Sequence, residues 1–82
     1  MQHYILVYPK RRIDIPKYDE IRLLGNLAEQ AKGIEIPSEE GLKLGDTVWL
    51  LDGKNGGKAL AHIAHCANLA ELDLEIRFLS EH

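Results

Sequence analysis

Apolar positions fall along the chain in blocks of two kinds, short β-branched runs and longer stretches at helical spacing. His3 to Tyr8 is aromatic and β-branched without a turn residue, and Pro9 closes it. A run apolar at both parities predicts a strand covered on both faces, hence a central one. Lys10 to Pro16 is a basic loop, and a helix is expected from about Pro16, where proline suits the first turn and Asp19 and Glu20 favour the positive end. Ile21, Leu24, Leu27, Ala28 and Ala31 form its predicted apolar stripe, and Gly33 its C-terminal cap.

A short strand is predicted at Ile34–Pro37, ended by proline as an edge strand tolerates. Ser38 to Gly45 is polar and glycine-bounded and reads as a loop or a short turn of helix. Thr47 to Leu51 is a second continuous apolar strand, and Asp52 to Lys58 is the strongest turn signal in the chain. A second helix follows from about Gly57 to Leu72, with Leu60, Ile63, Ala64, Ala67 and Ala70 on one face. Asp73 to Phe78 alternates, which sets Leu74, Ile76 and Phe78 on one side of a last strand.

The order β-α-β-β-α-β predicts an α+β fold, a ferredoxin-like sandwich with a four-stranded antiparallel sheet and both helices on one face. Strand character agrees, since the first and third strands read as central and the second and fourth as edges. Without the Ile34 strand the expectation becomes a three-stranded βαβαβ arrangement. The 82 residues fit one domain, residues 1–82, with no linker or repeat. Hydrophobic content of 45% and charged content of 28% are those of a folded globular chain rather than a disordered one. A domain this small has a limited core, so self-association or a partner surface is expected.

Ten basic and thirteen acidic residues give a net charge of −3, too mild to imply a nucleic-acid binder by itself. A single cysteine excludes an intrachain disulfide and fits a reducing compartment. The Tyr4 to Tyr8 run is too short for a signal-peptide core or a membrane span, so a soluble cytoplasmic protein without membrane contact is expected.

Two surfaces are candidates for binding. In this fold the first and third strands are expected to be parallel neighbours, so the loops after them leave the sheet at one end. Lys10, Arg11 and Arg12 would then converge with Lys54 and Lys58 beside the N-terminus of the second helix, a natural anion site. Gly53, Gly56 and Gly57 would let backbone approach a phosphate, while Glu39, Glu40, Asp46, Glu71 and Asp73 gather at the opposite end. The turn only faintly echoes a phosphate-binding loop. It is one residue short between its glycines and carries Ala59 where the metal-binding hydroxyl belongs, which excludes nucleotide hydrolysis.

The second surface is the sheet face away from the helices, where Tyr4, Leu6 and Tyr8 are expected to point outward, joined by Trp49 and Leu51. Aromatics on central strands stack bases in RNA-binding domains, but the basic-glycine-aromatic signature is missing. An apolar open face is more often covered by a second subunit or a partner.

His62, His65 and Cys66 are close in sequence, but a zinc site needs three or four ligands and nothing supplies the rest. No metal or other cofactor is therefore expected. A Cys66 nucleophile with His62 as its base is the enzymatic alternative. Residues 12–17 with Leu24-Gly25, and later Gly41 to Asp46, are similar to phrases of swapped-hairpin transcription factors of the AbrB type. There the phrases adjoin, whereas here a predicted helix separates them, so the likeness carries no function. The expectation is a small non-enzymatic binding or regulatory module acting by protein contact or self-association. Recognition of phosphate or nucleic acid by the basic end is the alternative.

Overall fold

The computed structural model describes residues 2–80. They form β1 (His3–Pro9), α1 (Lys17–Ala31), β2 (Gly41–Gly45), β3 (Val48–Asp52), α2 (Gly57–Leu69) and β4 (Leu74–Ser80). The strands make one sheet in the order β2-β3-β1-β4, antiparallel throughout. The fold is therefore α+β, and the two continuously apolar runs are its central strands. No helix among the described residues is long and apolar enough to cross a membrane.

Register decides which side chains enter the core. Ile5 pairs with Leu51 and Val7 with Trp49. Residues directly opposed share a face, so these four side chains form one inner surface, and all four are buried. Leu23, Leu27 and Ala31 of α1 and Ala59, Ile63, Cys66 and Ala67 of α2 close over it. The two helices also contact each other, so both lie on this side of the sheet. Trp49, only 1% exposed, is the largest side chain fully enclosed.

Several expectations change. β1 and β3 are antiparallel, not parallel. Each crossover, β1-α1-β2 and β3-α2-β4, leaves a gap that a strand of the other fills, so neighbouring strands run in opposite directions. The second strand is Gly41–Gly45 rather than Ile34–Pro37. Ile34 and Ile36 still pack on the core, but from irregular backbone. Pro37 O then accepts from the amides of Glu40 and Gly41, turning the chain into β2. Gly45 pairs with Val48 across a two-residue turn, Asp46-Thr47, so β2 and β3 form a tight hairpin with an irregularity between Lys43 and Gly45. Gly41 has φ +150°, and an added Cβ there would lie 2.6 Å from Leu50 O. A side chain at this position meets both strained backbone and a clash.

Both helices also sit at a slightly different phase from the expected one. Ile21 and Ala64 are exposed, while Leu23 and Cys66 are buried. At the end of α2, Glu71 takes the left-handed conformation (φ 60°), and Leu72 N bonds Ala67 O at 2.9 Å. That is the helix-terminating geometry usually given to glycine, so no glycine marks the stop.

Candidate functional site: the open sheet face

Alternation along the central strands sends Tyr4, Leu6 and Tyr8 of β1 and Val48, Leu50 and Asp52 of β3 to the side opposite the helices. Leu42 pairs with Leu50, and Leu50 with Leu6, so three leucines run edge to centre in a continuous row. Leu42 is about half exposed, and Leu50 and Leu6 are half-buried. A groove of about 380 Å³ opens beside this row, lined by Tyr4, Leu42, Leu50, Asp52, Gly41 and Glu39 among others. Arg77 lies opposite Leu6 on β4, and its Nε donates to the Tyr8 hydroxyl at 2.7 Å. Glu75 lies opposite Tyr8, and Leu79 opposite Tyr4. The face is thus an apolar centre with charged groups around it, the usual anatomy of a protein-binding patch.

Two residues expected here are elsewhere. Trp49 and Leu51 point into the core, because the register with Val7 and Ile5 gives them the inner parity. Their outward neighbours Val48 and Leu50 take their place. The base-stacking arrangement thereby loses the aromatic on β3. The acids Asp52 and Glu75 flank the tyrosines, so no basic track crosses the face.

The basic residues do not converge. Lys10, Arg11 and Arg12 follow the end of β1, in a groove of about 700 Å³ shared with Asp14, Glu71 and Asp73. Lys54 lies at the other end of β1, in a groove with His3 and Asp52. Seven residues of extended strand separate the two, about 20 Å. Lys58 borders a third groove with Glu35 and Glu40. Each basic group therefore has acids beside it, and the expected division into a basic and an acidic end is absent.

Arg12 is held within its own loop. Its Nε and one terminal nitrogen each donate to Asp14 at 2.9 Å, and the other terminal nitrogen to Glu71 O at 3.2 Å. The Arg12 amide donates to Glu20 Oε2 at 2.6 Å, tying the loop to the first turn of α1. The hydrogen bond from Arg12, aided by a backbone hydrogen bond, keeps the Asp14 carboxyl below the usual carboxylate range. A depressed folded value stabilises the fold above the unfolded value and loses that contribution as pH falls through the folded one. Asp14 is exposed and Arg12 only partly covered, so the contribution is small. Arg12→Ala is expected to move the Asp14 titration midpoint upward by carboxyl-carbon NMR. An unmoved midpoint would mean that the pair does not form in solution.

The glycine turn is likewise occupied by the protein itself. Asp52 Oδ2 accepts from the amides of Lys54 (2.9 Å) and Asn55 (2.7 Å), and Asp52 O accepts from Gly56 N (2.9 Å). Gly53 N donates to His3 O at 2.7 Å. Four successive amides that would have cradled a phosphate are already bonded. Cys66 faces α1, its Sγ donating to Gln30 O at 3.6 Å, while His62 and His65 are exposed. The thiol is thus engaged by α1 while both imidazoles face solvent, and no group of three metal-capable side chains occurs among the described residues. No protein-family model, no curated protein and no solved structure matches the chain.

Proposed function

We propose that the chain is a ferredoxin-like, non-enzymatic interaction module that docks a protein surface, its own copy or another chain, on its open sheet face. The Leu42–Leu50–Leu6 row carries this reading. An apolar band about three side chains wide on one side of a thin domain is costly to leave in water, at roughly 25 cal/mol per Å². The charged border of Asp52, Glu75 and Arg77 supplies orientation more than affinity. The order β2-β3-β1-β4, with both helices on one side, is the arrangement of a split β-α-β sandwich, which leaves the other side open for such use. A lone buried cysteine fits a reducing compartment, and the cytoplasm is the location we propose.

A photo-crosslinking residue placed at Leu50, with Glu29 on the exposed side of α1 as control, tests the reading in the source cells. Discrete adducts are expected at Leu50 and not at Glu29, and Leu6→Lys should reduce them by about tenfold or more. Adduct mass separates a second 9.3 kDa copy from a different chain. Equal labelling at both positions, or adducts indifferent to Leu6→Lys, would overturn the proposal.

A further inference from the structure

β4 is an outer strand of the sheet, and its free side carries a pattern that complements itself. Lys10 N donates to Asp73 O, and the β1–β4 register pairs Pro9 with Leu74, Tyr8 with Glu75 and Leu6 with Arg77. Hydrogen-bonded and non-bonded pairs alternate in an antiparallel ladder. Glu75, Arg77 and Leu79 therefore turn their backbone groups toward β1. Those of Leu74, Ile76 and Phe78 point to the open edge.

The side chains of the same three residues are also unfinished. They lie on the helix side of the sheet, opposite Pro9, Val7 and Ile5. Cover fails along the strand, from half-buried Leu74 through Ile76, 42% exposed, to Phe78, 80% exposed. A groove of about 250 Å³ runs between α2 and β4, lined by Ala64, Ala67, Leu72, Leu74 and Ile76 among others. Edge strands are normally blunted by shortness, bulges or charges turned toward the core side. The opposite edge, β2, is short, glycine-bounded and irregular. β4 runs for seven residues in continuous register with β1, and the charges it carries, Glu75 and Arg77, lie on the open face and not on the core side.

We propose that two copies of the chain pair β4 to β4 in antiparallel fashion about a two-fold axis through Ile76. Residues 74–78 read Leu-Glu-Ile-Arg-Phe. In this register Ile76 meets its own copy once, while Leu74 meets Phe78 and Glu75 meets Arg77 twice each. The apolar row stays apolar on the helix side, and both charge pairs fall on the open side. Each Phe78 ring lies beside Leu74 at the mouth of the α2–β4 groove of the other copy. The edge groups of Leu74, Ile76 and Phe78 then make about six main-chain hydrogen bonds. Axes through neighbouring residues fail, since Glu75 would face its own copy in one and Arg77 in the other. A one-residue slip sets the apolar row against the charged one. Pairing also joins the two open faces into a surface twice as wide. Glu75 and Arg77 border the open face as well, but the apolar row of this interface is separate from Leu42–Leu50–Leu6, so Phe78→Asp and Leu50→Lys tell the two apart.

Sedimentation equilibrium of the full chain is expected to give twice the 9.3 kDa mass. Arg77→Glu sets carboxylates opposite Glu75 at both charge pairs, and Glu75→Arg sets guanidinium groups opposite Arg77. Each alone should weaken the dimer by about tenfold or more. An equimolar mixture of the two should restore it, because an all-acidic strand then meets an all-basic one. Loss of the Arg77–Tyr8 hydrogen bond or damage to the fold does not produce that restoration. Phe78→Asp, at a side chain the monomer leaves in solvent, should abolish the dimer while circular dichroism stays unchanged. A monomeric wild-type chain, single charge variants that remain dimeric, or a mixture no tighter than its components would each overturn the proposal. So would a dimer lost on Leu50→Lys and kept on Phe78→Asp, which would assign self-association to the open face.

Discussion

Replacing Trp49 by alanine is expected to cost about 3–5 kcal/mol of folding stability, the largest effect of any single substitution proposed for this chain. A domain of this length holds roughly 4–12 kcal/mol in total, so the variant should be largely or wholly unfolded at modest urea. The size follows from position. Trp49 is 1% exposed and sits on a central strand, at the pair Val7–Trp49, under the helix layer that Leu27 and Ile63 complete. Removing the indole leaves a cavity that none of these fully buried neighbours can close without moving the sheet. Urea melts followed by far-ultraviolet circular dichroism give the measurement, since the variant lacks the chain's single tryptophan. Tyr8→Ala, on the open face, is the comparison and should cost much less. A Trp49→Ala midpoint close to that of Tyr8→Ala would place the indole outside the core.

That same residue marks where the sequence stops being sufficient. The runs at His3–Tyr8 and Thr47–Leu51 announce central strands because they are apolar at both parities, and the structure has them there. The same uniformity conceals which parity faces inward. In β3 both Val48/Leu50 and Trp49/Leu51 are apolar, so only the register with Ile5 and Val7 decides. Trp49 and Leu51 consequently belong to the core and not to the binding face. The helices show the same kind of ambiguity. Tyr18 and Ile21 keep helical spacing with Leu24 as well as Leu23 keeps it with Leu27, and the crossing of α1 over the sheet picks the second row.

The missed β2 has a different cause. Gly41 and Gly45 punctuate the segment as a loop would, yet both lie in the strand, and Gly41 is needed there for its φ and its closeness to Leu50. Glycine marks both the end of a strand and a tight approach within one. Strand direction was the costlier gap, because it alone controls whether Lys10–Arg12 and Lys54–Lys58 share an end. An antiparallel sheet with β1 beside β3 already sets the two in opposite directions, so the parallel pairing conflicts with the fold that the element order predicts. The row Leu74, Ile76 and Phe78 was legible as a row, but its exposure was not, since cover depends on how far α2 reaches across the sheet.

The run Gly53 to Gly57 can be assigned a purpose by two substitutions with opposite expected signs. At Gly56, which is buried, an added Cβ would lie 2.5 Å from Asp52 O and 2.8 Å from Leu51 Cβ. Both obstacles belong to β3 or its immediate exit, and a backbone oxygen cannot swing aside. Gly56→Ala is therefore expected to destabilise by about 1–3 kcal/mol, the range for forced overpacking. At Gly57, the first residue of α2, nothing lies within 4 Å of an added Cβ and the backbone is helical. Gly57→Ala should stabilise by about 0.4–1 kcal/mol, because alanine restricts the unfolded chain without straining the folded one. Thermal melts of both variants, with and without inorganic phosphate, separate a structural turn from an anion cradle. With the amides of Lys54, Asn55 and Gly56 already bonded to Asp52, phosphate should leave the wild-type midpoint unchanged. A phosphate-dependent rise that Asp52→Asn enlarges would instead mean that the carboxylate competes with a ligand for the same amides, and would return the glycine turn to the list of binding sites.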